Sequence, residues 1–175
     1  MKFEEPQNEN NENKKVPVGL HGARCVMVVD LGKQDETWDG VTTIKNMVLF
    51  AFEVPGYEYP VSKQYNVSWN AKSSLSMHLT SWFGNFSATD RANFDTQDIL
   101  GKECTINVGQ TEGGNPKLLS ILPSQGEVPK AKHPILHFEI QDYINGDKEV
   151  FNLLPEWMRN KIMQSKQIEN LNSPF

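Results

Sequence analysis

The stretch Phe94–Pro123, FDTQDILGKECTINVGQTEGGNPKLLSILP, decides the fold. It opens with a short acidic turn of helix, in which Asp95 and Asp98 suit the positive end of the helix dipole. The chain pivots at Leu100-Gly101-Lys102. An alternating strand follows, with Cys104, Ile106 and Val108 on one face and Glu103, Thr105 and Asn107 on the other. Gly113-Gly114-Asn115-Pro116 then reverses the chain into a second apolar run, Lys117 to Leu122. Pro123 ends that run, because proline brings no N–H to a ladder. Short helix, strand, tight turn, strand is how the second half of a small Greek-key barrel closes.

Working outward, residues 1–15 are Asn- and Glu-rich and bury too little to offset chain entropy, so a disordered tail is expected. Ala23 to Asp30, ARCVMVVD, is nearly continuous in apolar character, as in a strand covered on both faces. Gln34 to Gly40 reads as a polar turn containing Trp38. Val41 to Val54 is the longest strand signal. Ile44, Val48, Phe50 and Phe52 share one face, and Lys45, Met47, Leu49 and Ala51 the other. A third strand is expected over Tyr57 to Trp69, with Val61, Lys63, Tyr65 and Val67 on one side.

A helix from Ser74 to Phe83 follows, capped by Ser73 or Ser74 and stopped at Gly84. Leu75, Leu79, Trp82 and Phe83 form its apolar stripe. Strand, strand, strand, helix, strand, strand is the order of an OB-fold. The expected class is therefore all-β with minor α: an OB-fold-like five-stranded Greek-key barrel over residues 16–125, with a helix between strands 3 and 4. Residues 126–175 add a Pro/Gly/Lys linker, an edge strand near Ile135 to Ile140 and a C-terminal helical extension. That helix starts at Leu154-Pro155-Glu156, and the end, NLNSPF, reads as frayed.

Composition narrows the function classes. The net charge is −5, spread as −1 over residues 1–15, −2 over 16–132 and −2 over 133–175. No region has the basic balance that an extended duplex-DNA footprint needs. Single strands demand less charge, because bases stack on aromatic rings. Cys25 and Cys104 both fall on apolar faces of strands, as core packing in a reducing compartment predicts. No apolar run approaches a membrane span, and a soluble protein of the cytoplasm is expected. The four histidines lack metal spacing. Gly109 to Gly114 lies between two strands and not before a helix, so it is a hairpin turn and not a phosphate loop. No catalytic, cofactor or metal constellation is found, and the protein is read as a non-enzyme.

The residues that carry chemistry are aromatic and basic: Arg24, Lys45, Lys63, Tyr65, Trp69 and Lys72. All come from strands one to three or the loop after them. In an OB barrel the face of strands two and three binds oligonucleotides. Tyr65 and Trp69, four residues apart, fall on one side of a regular strand about 13 Å from each other. There they stack bases while the lysines meet phosphates. The competing reading has Tyr65 in the core and the lysines protecting an edge strand.

A set of short motifs runs through the ordered chain: Gly22-Ala23-Arg24, Val29-Asp30-Leu31-Gly32, Phe52-Glu53, Val61-Ser62 with Ser68, and Trp82-Phe83-Gly84. It continues with Leu100-Gly101-Lys102-Glu103-Cys104, Val128-Pro129 and Leu154-Pro155-Glu156-Trp157 with Ile162 and Ser165, covering roughly residues 16–166. In these motifs the chain resembles a group of small phage-encoded proteins found among replication and recombination genes. The resemblance implies an OB-like, single-stranded-DNA-binding protein acting in phage DNA replication or recombination, in the host cytoplasm. Its partners would be single-stranded DNA or RNA and a replication or host protein, with no membrane; assembly into an oligomer is compatible with this. Ser173-Pro174-Phe175 is similar to the Pro-Phe end of bacterial single-strand-binding proteins, but lacks their acidic run. A second class of function is a protein-interaction module that redirects a host or phage protein, with Trp157, Met158 and Phe175 facing the partner. A virion component is a third class, for which no motif argues.

Overall fold

A computed structural model describes residues 14–173 of the chain. Phe175 and nearly all of the N-terminal tail lie outside the described residues. The fold is mostly β with minor α. Strand β1 (Gly19–Trp38) and strand β2 (Val41–Glu53) form a long antiparallel hairpin. β1 is 20 residues long, not the short strand expected. The polar segment expected as a turn continues the strand: Gln34 is buried, and the exposed Asp35 to Trp38 form a two-stranded arm, where water on both sides tolerates polar side chains. The turn is the two-residue Asp39-Gly40, with φ of 49° and 76°, the left-handed pair that hairpins favour.

Two irregularities bend β1, at Val26 and at Leu31, where one extra residue enters its register with β2. The first switches the alternation of the strand. Ala23, Cys25 and Val28 enter an inner core with Phe50, Phe52, Ile106 and Ile121. Val26, Met27, Val29 and Leu31 enter an outer core with Leu49 and Ala51. This is the physical content of a strand covered on both faces. The two faces read from β2 sort in the same way, Val48, Phe50 and Phe52 inward and Leu49 and Ala51 outward.

Strand β3 (Val61–Asn66) is shorter than expected. Pro60 brings no N–H before it, and the chain leaves the ladder soon after Val67 N–H donates to the Asn46 carbonyl. Helix α1 (Ser74–Phe83) has the expected bounds, with the Ser73 hydroxyl accepting from Ser76 N–H. A short helix α2 (Ala88–Asn93) was not anticipated, although its capping box, Ser87 with Asp90, is a standard start signal. A 3-10 turn (Thr96–Ile99), capped by Asp95, leads to β4 (Glu103–Gln110) and β5 (Pro116–Leu122). Cys25 and Cys104 are buried and unbridged.

The hydrogen-bonded order is β3-β2-β1-β4-β5. The expected closed ladder is absent among the described residues: β3 and β5 lie side by side without pairing. A sixth strand, β6 (Leu136–Phe138), joins β1 in parallel at Met27–Val29. Beyond it, α3 (Ile140–Ile144), α4 (Glu149–Leu153), α5 (Glu156–Met163) and α6 (Lys166–Asn172) cover the outer core. After Met163 the chain restarts a helix, in which the buried Ser165 hydroxyl accepts from Ile168 N–H. Of the end expected to fray, Asn170 to Asn172 belong to this helix, and Pro174 and Phe175 lie outside the described residues. The 126–133 segment is not a loose linker. Glu53 accepts from Lys132 N–H and His133 N–H, and the Glu103 carboxylate accepts from Val128 N–H. No helix among the described residues is long and apolar enough to cross a membrane.

Gly32 is where the outer layer docks on β1. Its φ is +70°, and a Cβ there would lie 2.6 Å from Ile140 Cδ1 and 2.9 Å from Ser165 Cβ. Gly40 has a similar φ of +76° with nothing within 4 Å. Gly40→Ala should therefore cost only the backbone penalty of ~1–2 kcal/mol. Gly32→Ala should add overpacking of ~1–3 kcal/mol. Urea unfolding of the two variants checks this; equal losses would show that the helices do not press on Gly32.

Candidate nucleic-acid interface

The side chains singled out from the sequence do not converge. Arg24 spends its guanidinium on the carbonyls of Pro129, Gly101 and Val128, at 2.8, 2.8 and 2.6 Å. It fastens the 126–133 segment to the sheet and has little left for phosphate. Lys45 sits on the β1–β2 arm, paired with Glu36 at 2.9 Å. Lys72 is exposed in the turn before α1. Trp69 lies beyond the end of β3 and is half-buried among Phe86 and Phe94, with ring centroids 5.1 and 5.4 Å away.

Tyr65 is 1% exposed, so it cannot stack a base. Lys63 and Tyr65 do share one side of β3, but at Tyr65 that side faces the inner core. Its hydroxyl instead joins the two unpaired strands. Tyr65 Oη lies 2.7 Å from His78 Nδ1, and His78 Nε2 lies 3.1 Å from the Leu119 carbonyl. A carbonyl only accepts, so His78 carries its proton on Nε2 and its Nδ1 accepts from Tyr65. Leu119 is the extra residue of an irregularity in β5, between the pairs Asn107–Ser120 and Val108–Leu118. Its carbonyl turns to the helix and not to a neighbouring strand. The seam between β3 and β5 is thus closed by a side-chain relay. Burial first, then the Lys63 charge, lowers the His78 pKa, while the bond to Leu119 opposes them. Burial likewise pushes the Tyr65 phenol far above its ordinary value.

At the mouth of this seam the structure assembles an arrangement that the sequence reading missed. A groove of about 550 Å³ lies between β3 and the β4–β5 turn. It is lined by Lys63 and Gln64 from β3, Thr111 and Lys117 from the hairpin, and Trp157 from α5. Trp157 is 49% exposed. Lys63 runs over the Tyr65 ring, its Nζ 5.4 Å from the centroid. Its pKa is lowered by burial and then by Lys117, which places two ammonium groups in electrostatic reach of each other. Lys15 extends the basic surface, donating to Asn115 Oδ1 on the same turn at 2.9 Å. Glu112 is the one carboxylate of the lining.

Of the expected partner-facing residues, Trp157 is therefore at a surface, whereas Met158 is buried in the outer core. The start of a strand just after Asn115-Pro116 was the available signal for Lys117. Among the described residues no three His, Cys, Asp or Glu side chains are grouped to hold a metal. No protein-family model matches the chain, and no curated protein matches it.

The relay carries a pH signature. In the unfolded chain His78 titrates near its ordinary value of 6.5, and in the fold its pKa is lower. The unfolded state therefore binds more protons as pH falls below that value, and stability is lost in that direction. Urea midpoints at pH 7.5 and 5.5 should fall further for the native chain than for His78→Gln, which retains a donor and an acceptor. Tyr65→Phe should cost ~1–3 kcal/mol by leaving Nδ1 unsatisfied. Equal pH slopes in the native and Gln chains would remove His78 from the seam's energetics.

Proposed function

We propose that the protein binds single-stranded nucleic acid, without catalysis, along the groove beside β3. The observation that carries this reading is the meeting of Lys63 and Lys117 with the exposed ring of Trp157, with Lys15 on the adjoining β4–β5 turn, on a chain that is acidic overall. Ammonium groups neutralise phosphates and the indole offers a stacking face, the two contacts that sequence-tolerant single-strand binding combines. The strand order supports it. β4-β1-β2-β3 is the spatial order of a Greek key, and with α1 between β3 and β4 the path is that of an OB-fold whose last pairing is bridged by side chains. Oligonucleotides bind OB-folds beside strand three and the loop between strands four and five, which here are the walls of the groove.

The likeness to phage replication and recombination proteins supports a role in phage DNA metabolism within the host cytoplasm. Single-stranded DNA is then the first ligand to test, and RNA the control. A protein-interaction role is the second reading, favoured by an acidic, aromatic cavity at the C-terminal end of α1.

Fluorescence titration with a labelled oligo-dT at two salt concentrations tests the first reading. Affinity should fall as salt rises, with a logarithmic slope of about −0.7 per phosphate neutralised. Lys63→Ala and Lys117→Ala should each reduce that slope by about 0.7. Trp157→Ala should weaken binding by ~1–3 kcal/mol at unchanged slope. Absence of oligonucleotide binding at low salt would end this reading.

A further inference from the structure

The cavity at the end of α1 measures about 400 Å³, within the ~300–1,000 Å³ typical of ligand sites. Rings of Phe83, Phe86 and Phe94 line it together with the carboxylates of Asp90 and Asp98, and Lys102 is its one cation. Phe83 is 41% exposed and stacks on Trp82 at 4.3 Å, so the ring is held by its neighbour yet open to solvent. One Asp90 oxygen accepts from Ser87 N–H, as the helix cap requires. The Asp98 backbone N–H donates to the Asp95 carbonyl, and its exposed carboxylate makes no hydrogen bond or ion pair among the described residues. The lining thus carries a net charge of −1 around three ring surfaces.

Phosphate is repelled by such a lining, whereas cations are attracted twice, by the ring quadrupoles and by the carboxylates. The chain's own Lys102 shows the preference, its Nζ lying 6.0 Å from the centre of the Phe83 ring. Arg91 lies on another wall of Phe86, lining a separate groove with Trp69.

We propose that this cavity binds an arginine side chain of a basic peptide segment in a partner protein. A guanidinium is flat enough to lie on the Phe83 ring and presents paired N–H groups that match a carboxylate such as Asp98. An ammonium can sit over the ring as a point charge, but it is neither flat nor forked. The site is separate from the groove of Lys63 and Trp157 and does not depend on that groove binding nucleic acid.

Lys102 makes the idea testable by sign. It competes with an incoming cation but would assist an incoming phosphate. Calorimetric titration of the full chain with a capped Arg-Gly repeat hexapeptide should show binding that weakens with salt, and a Glu-Gly hexapeptide should show none. Asp98→Asn and Phe83→Ala should each weaken the Arg-Gly peptide by about tenfold, with thermal unfolding run alongside to confirm that each variant folds. Lys102→Ala should leave the affinity unchanged or tighten it. The proposal is overturned if the Arg-Gly peptide binds no better than the Glu-Gly peptide, or if folded Asp98→Asn and Phe83→Ala chains bind it unchanged. It is overturned equally if Lys102→Ala weakens peptide binding, or if Asp98→Asn tightens and Lys102→Ala weakens oligo-dT, since the cavity would then serve phosphate.

Discussion

Every layer of this protein is referred to one strand, β1, which must satisfy two cores at once. Twenty residues of regular strand would present one alternation throughout. The extra residue at Val26 breaks that regularity, so that Cys25 and Val28 both point inward while Val26, Met27 and Val29 turn outward. The second irregularity, at Leu31, directly follows Asp30, which keeps its pairing with Val48. The Asp30 carboxylate accepts from Gly32 N–H and from Ile140 N–H, tying the bend to the first residue of α3. Gln34, buried although polar, donates to Leu31 and Lys161 carbonyls and ties the same strand to α5. The outer helices therefore dock where β1 is bent, and both their polar contacts and their apolar ones depend on that bend.

The inner side follows a different logic. A sheet of five strands that curls without pairing its ends leaves two edges facing each other, and such edges invite other strands. Here β3 and β5 are kept apart by an irregularity that spends the Leu119 carbonyl on His78. The relay to Tyr65 holds the edges at side-chain distance instead of ladder distance. A shallow opening remains above the relay, and Lys63, lying over Tyr65, reaches its mouth. The positive groove is a consequence of the unclosed seam: a full ladder between β3 and β5 would place backbone where the opening lies.

These features differ in how far they could be read from the chain alone. The faces of β2, the bounds and cap of α1, and the β4–β5 hairpin were legible, because each rests on local periodicity or turn chemistry. The parity of Lys63 and Tyr65 was legible too, but parity does not say which side faces the core, and Tyr65 lies on the buried one. Trp69 was misplaced by extending β3 past Asn66, where the chain leaves the sheet with no proline or glycine to mark it. The arm at Asp35–Trp38 looked like a turn since a ribbon wet on both faces needs no apolar alternation. Arg24 looked free because its partners are carbonyls from residues 101, 128 and 129, distant in sequence and silent as side chains. The groove was illegible for a related reason. Lys117 and Trp157 are 40 residues apart and meet only once α5 is docked.

A net charge of −5 is consistent with both candidate surfaces once the charge is placed instead of summed. Lys15, Lys63 and Lys117 gather at the β4–β5 turn, with Glu112 alone opposing them. Asp90 and Asp98 gather near the start of β4, with Lys102 alone opposing them. β4 spans eight residues between these ends, about 24 Å at a strand's rise, well beyond the ~8–10 Å over which exposed charges act on one another in physiological salt. Each surface can therefore hold its own sign without cancelling the other. A polyanion and a basic segment would be drawn to opposite ends of the same strand, and neither would need to displace the other.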